Sequence, residues 1–102
     1  MTYTVRFLPD ALSDLRRHSR WYERRRRGLA DRFEEAVREQ TKLLEVTPRA
    51  YRRFHHDVHR CSVPRFPHEI YFRIIDELVV VLAVHGVRQD PDALKERLGT
   101  GE

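Results

Sequence analysis

Between residues 49 and 73 the chain places six arginines and four histidines against two acids, Asp57 and Glu69. A guanidinium stays charged at physiological pH, and its planar fork grips two oxygens of a phosphate or carboxylate at once. An imidazole titrates near neutrality, which makes it the side chain best suited to moving a proton there. Arg65, His68, Tyr71 and Arg73, with Arg88 further on, are therefore candidates for catalysis on a phosphoester. Arg49, Arg52, Arg53 and Arg60 extend the cationic stretch as binding residues for nucleic acid or an acidic peptide. The plainer account makes all of these solvated surface groups. Such a cluster serves binding more readily than catalysis. Tyr71 reads equally well as an amphipathic packing residue.

Other chemistries find less support. His55, His56 and His59 could suggest a metal, but adjacent histidines on extended chain point to opposite faces. No cysteine pair accompanies them and no fourth ligand is evident, so no metal is expected. No phosphate-cradling glycine loop, paired-carboxylate site or metalloprotease helix motif is present, and no cofactor is expected. The single cysteine, Cys61, shares a face with Val63 and reads as buried and inert. It excludes an intramolecular disulfide and fits a reducing compartment. The run Arg24–Arg27 could bind nucleic acid, yet at a helix end it also opposes the helix dipole favourably, and that account is preferred. Trp21 and Tyr22 read as packing residues rather than as stacking platforms for bases.

These residues must be positioned by a small number of elements. Tyr3, Val5 and Phe7 alternate with polar residues, the period of a half-buried strand, and Pro9 suits the first turn of a helix. Leu12, Leu15, Ser19 and Tyr22 then recur at helical steps until Gly28, a left-handed cap. A second helix carries Leu29, Phe33, Ala36, Val37, Gln40 and Leu44 on one stripe and ends before Pro48. The short connection makes the two helices antiparallel neighbours. Beyond Pro48 the period becomes alternating. Cys61 and Val63 point away from Arg60 and Ser62; Ile70, Phe72 and Ile74 alternate with Glu69, Tyr71 and Arg73, and Asp76-Glu77 turns the chain into Leu78–Val84. That last strand is apolar at every position, so it is central or covered on both faces. Asp90 caps a final short helix that starts at Pro91 and stops before Gly99. The expected fold is α+β, β-α-α-β-β-β, an antiparallel sheet with a helical hairpin on one face and a short C-terminal helical tail.

The chain of 102 residues has room for one domain, spanning 1–102. Its formal charge is +4, with eighteen arginines against two lysines, so an acidic partner is expected. The first residues hold no apolar signal core, and the longest apolar run falls far short of the roughly 20 residues a membrane span needs. A cytoplasmic protein with no membrane partner is expected.

Several segments, taken in order, carry a family resemblance. They are Trp21-Tyr22-Glu23, Arg27-Gly28-Leu29-Ala30, Arg32-Phe33, Thr47-Pro48-Arg49-Ala50-Tyr51, His56–Arg60, Arg65–Arg73, Val80–Val84 and Asp90-Pro91. Together they resemble the RelE/ParE superfamily of toxins, also known as plasmid-stabilisation proteins. The resemblance implies the toxin of a type II toxin–antitoxin pair, which arrests growth and is neutralised by an acidic, partly disordered antitoxin. It implies one of two targets: messenger RNA on the ribosome, cleaved as by RelE, or DNA gyrase, inhibited as by ParE without catalytic residues. Operator DNA would be reached only through the antitoxin complex. A degenerate member that binds its antitoxin without toxicity is the alternative. The sequence departs from the family pattern at His68, where a tyrosine is common, and at His85, one position early.

If the chain is an enzyme, it would be a metal-independent endoribonuclease. Cleavage at a 2′-hydroxyl needs a base, cations for the phosphate and an acid for the leaving oxygen. Arg65, Arg73 and Arg88 would surround the phosphate, His68 would transfer the proton, and Tyr71 would orient or stack. The strand Leu78–Val84 would offer the antitoxin an apolar groove.

Overall fold

The computed structural model describes residues 2–99; residue 1 and residues 100–102, the ends of the expected 1–102 domain, lie outside the described residues. The order is β1 (Thr4–Phe7), α1 (Pro9–Arg25), α2 (Leu29–Leu44), a 3-10 turn at Pro48–Ala50, and β2 (Arg53–His55). Then follow β3 (Val58–Ser62), β4 (His68–Ile75), β5 (Leu78–Gly86) and α3 (Pro91–Arg97). The α+β class and the helical hairpin are as the periodicities require.

The ends of the helices follow local rules. Pro9 stands in the first turn of α1, where a missing N–H costs nothing. Gly28 takes φ +88° between the helices, a left-handed conformation that only glycine adopts cheaply. The Glu23 carboxylate accepts the Gly28 amide at 3.1 Å and the Ala30 amide at 3.1 Å, which binds the first turn of α2 to the end of α1. These amides hold the Glu23 carboxyl below its usual range. Asp90 caps α3 through the Asp92 amide at 2.9 Å, and Gly99 follows with φ +85°.

The sheet differs from the sequence expectation in two respects. It has five strands in the order β1-β5-β4-β3-β2, and β1 runs parallel to β5 while the other pairs are antiparallel. Alternation in Tyr3–Phe7 reports which face is buried; it does not report which neighbour a strand joins or in which direction. The extra strand, β2, has three residues and an irregular register with β3, too short to leave a periodic signal.

Both faces of the sheet are covered. Phe33, Ala36, Val37 and Leu44 from the hairpin meet Ile70, Phe72, Val79, Val81 and Val84 on one side. On the other side Leu94 and Leu98 pack on Val58, Tyr71, Leu82 and Ala83. β4 pairs Tyr71 with Ala83 but Phe72 with Val81, so Leu82 is an extra residue, a bulge. The bulge lets Leu82 and Ala83 both join the layer under α3. This explains why Leu78–Val84 is apolar at every position.

Candidate functional site

β1 pairs with β5 only from Leu78 to Val81, so the edge of β5 beyond that point would be left open. Buried backbone groups must find partners. Here α1 provides them from two side chains four residues apart, which lie on one side of a helix. The Val84 amide donates to the Asp14 carboxylate at 2.9 Å, and the His18 imidazole donates through Nε2 to the Val84 carbonyl at 2.9 Å. A carbonyl only accepts, so Nε2 carries the proton. From α3, Arg97 reaches the same carboxylate at 2.7 and 3.1 Å and also the Leu82 carbonyl at 3.1 Å. Asp14 is 2% exposed, and its charge is answered by Arg97 and by Arg17 at 3.2 Å.

The buried stripe of α1 is thus Ala11, Asp14, His18, Ser19 and Tyr22, with Leu12 exposed. The expected stripe ran through Leu12, Leu15, Ser19 and Tyr22. Two polar residues at i and i+4 between Ala11 and Tyr22 were the missed signal. Apolar side chains alone could not reveal them.

One turn further on, the Tyr22 hydroxyl and His68 Nε2 form a hydrogen bond at 2.9 Å, and the His18 and His68 rings lie 4.2 Å apart. His68 opens β4, is buried, and its Nδ1 has no partner among the described residues. Burial, reinforced by the nearby His18 and His85, pushes the His68 imidazole down to about 4. Burial also lowers His18, against the opposing pull of the Val84 carbonyl. These rings floor an open cleft of about 530 Å³, walled by Trp21, Pro67, Arg88 and Gln89. Trp21 is 45% exposed, with the Arg25 guanidinium 4.3 Å above its ring, so it is not interior packing.

The other catalytic candidates stand elsewhere. Tyr71 is three residues from His68 and faces the opposite side of the sheet, 5% exposed beneath α3, with its ring 5.0 Å from Phe54. Burial raises its hydroxyl above the ordinary range. It lines a pocket of about 170 Å³ with Arg60, Glu69 and His85. His85 Nε2 has no partner there, and burial lowers its imidazole. Arg73 is paired with Asp57 at 3.0 Å and reaches the Leu98 carbonyl at 3.2 Å, so it anchors the end of α3. Its donation holds the Asp57 carboxyl below its usual range. Arg65 sits in the β3–β4 turn with φ +68°, paired with Glu39 of α2 at 2.9 Å. Arg88 alone shares the cleft with His68.

Among the binding candidates, Arg60 pairs with Glu69 at 3.4 Å, and Arg49 donates to the Tyr3 hydroxyl at 3.2 Å. Arg52 and Arg53 are exposed. The sheet region is therefore less free to bind an anion than its composition suggests. Cys61 is buried, and burial pushes its thiol up to about 12. No group of three or more metal-ligating side chains occurs among the described residues. No described helix is long and apolar enough to cross a membrane.

Strand β5 offers no groove, because the hairpin and α3 cover its two faces. The open apolar groove lies instead between α1 and α2, about 500 Å³. Phe7, Leu12, Leu15 and Val37 form its floor, and Arg16, Glu34, Arg38 and Lys42 its rim.

Comparison with known proteins agrees with this architecture. A chromosomal ParDE toxin–antitoxin system from P. aeruginosa contains a chain of 19% identity, TM-score 0.73, covering 82% of this chain and 95% of that one. The RelBE2 toxin–antitoxin complex from Mycobacterium tuberculosis gives 26% identity and TM-score 0.64, covering 84% and 99%. A mutant of the E. coli toxin RelE in the free state gives 17% identity and TM-score 0.70, covering 96% of both chains. No curated protein matches the chain. The family model for the ParE toxin of the type II toxin–antitoxin system parDE matches residues 5–91, and the chain belongs to that family, within the RelE/ParE superfamily.

Proposed function

We propose that this toxin arrests growth by binding DNA gyrase and inhibiting it, without chemistry of its own, and that a cognate acidic antitoxin neutralises it. One observation carries the choice of target. The five residues a ribonuclease would need do not meet: His68 and Tyr71 lie on opposite faces of β4, and Arg65 and Arg73 are held by Glu39 and Asp57. Burial that pushes His68 down to about 4 also makes it a weak base, and its neutral ring at pH 7 is too weak an acid to protonate a leaving group. Binding needs none of this.

Relatives known as toxin–antitoxin assemblies support a dedicated antitoxin. The interhelix groove supports its mode of docking, since an apolar floor rimmed by Arg16, Arg38 and Lys42 against Glu34 and Glu45 suits an amphipathic segment of net acidic charge. The reading is tested by exposing ribosome-bound mRNA to the purified full chain, alongside an Arg65→Ala/Arg88→Ala variant in an induced-growth assay. Intact mRNA and undiminished growth arrest by the folded variant are expected. Cleavage that the double variant abolishes would replace this reading with a RelE-like endonuclease.

A further inference from the structure

Residues 16–27 hold seven arginines and one glutamate, while the whole chain carries only +4, so everything outside this segment is net acidic. The fold lines up part of that charge on one surface. Arg16, Arg20 and Arg24 follow one another at four-residue steps on the exposed side of α1, opposite the buried Ala11, His18 and Tyr22. Arg17 flanks this row; Arg25, the last residue of α1, lies over Trp21 on another side of the helix, and the exposed Arg26 and Arg27 follow the helix end. Only Arg17 has an acidic partner among the described residues, and Glu23 is already occupied by the Gly28 and Ala30 amides. In the 49–73 stretch, by contrast, Arg60, Arg65 and Arg73 are all ion-paired.

We infer that the outer face of α1 binds duplex DNA through its phosphates, without sequence preference and without the help of a partner protein. Four-residue steps place successive guanidiniums about 6 Å apart along the axis, a spacing that follows one phosphate strand. Arginine matches phosphate oxygens two at a time, and a row with no neutralising carboxylate keeps its full field. A duplex is favoured over single-stranded nucleic acid because the exposed aromatic, Trp21, already has Arg25 over its ring. Single strands are held mainly by stacking on open aromatic faces. This contact goes beyond gyrase inhibition and would exist without gyrase.

The test uses the purified full chain, a fluorescent 30-base-pair DNA duplex and anisotropy across a salt series. Wild type should bind with an affinity that falls steeply with salt. An Arg16→Gln/Arg20→Gln/Arg24→Gln variant should bind at least about tenfold more weakly at ~0.1 M salt, with its log–log salt slope reduced by about 2.7. An Arg49→Gln/Arg52→Gln/Arg53→Gln variant, which removes the same charge elsewhere, should lose clearly less affinity than the helix variant. Equal binding by the helix variant, loss confined to the other variant, or no binding by wild type at low salt would overturn the assignment. So would stronger binding of a poly-glutamate peptide, or of duplex RNA, at the same charge concentration.

Discussion

The Asp14 carboxylate accepts the Val84 amide at 2.9 Å, and through this bond a helix side chain does the work of a missing strand. β1 stops at Phe7, and from there Asp14, His18 and Arg97 satisfy the edge of β5. The same carboxylate ties α3 to α1, so both layers over the sheet depend on one buried charge.

Asp14→Ala is therefore expected to cost about 3 kcal/mol, since it removes the Val84 acceptor and strands Arg97 against a buried site. Asp14→Asn, which keeps an acceptor, should cost less. Urea denaturation measures both. Equal stability of Asp14→Ala and wild type would show that the network contributes nothing.

Stability should fall as the solution is acidified below about pH 6.5. His68 stays neutral in the fold down to about 4, whereas in the unfolded chain it takes a proton near 6.5. Protons therefore favour the unfolded state between these values, and His68 alone accounts for about 3 kcal/mol by pH 4. His18 is shifted in the same direction. A His68→Gln variant should lose stability less steeply over that window in denaturation series at fixed pH. An unchanged slope would mean that His68 is not held neutral.

Tyr22→Phe leaves His68 Nε2 without a partner in a buried site and should cost about 1–2 kcal/mol. A thermal melt indistinguishable from wild type would count against this pair.

Gly28→Ala has open space for its methyl group, so any cost comes from φ +88° alone. About 1 kcal/mol is expected, read by chemical denaturation. A stabilised variant would mean the helix connection relaxes into another conformation.

Where the sequence was legible, each signal was local. Pro9, Asp90 and the left-handed Gly99 follow from backbone rules at single residues; Gly28 is left-handed as expected but caps the start of α2, since α1 already stops at Arg25, and the two-sided apolarity of Leu78–Val84 foretold cover on both faces. The pairing of β1 with β5 depends on chain segments more than seventy residues apart, and alternation in Tyr3–Phe7 is silent on it. The candidate site was least legible. Composition alone drew attention to Arg65 and Arg73, but their partners, Glu39 and Asp57, come from other elements. The run Arg24–Arg27 read as a helix-dipole feature; the structure adds that Arg24 stands in line with Arg16 and Arg20 on the exposed side of α1.

The target is tested most directly by titrating purified full chain into a DNA gyrase supercoiling assay, with relaxed plasmid and ATP. Supercoiling is expected to stop as toxin is added and to recover when the cognate antitoxin follows. Normal supercoiling at saturating toxin, from a preparation that arrests growth when expressed, would contradict it.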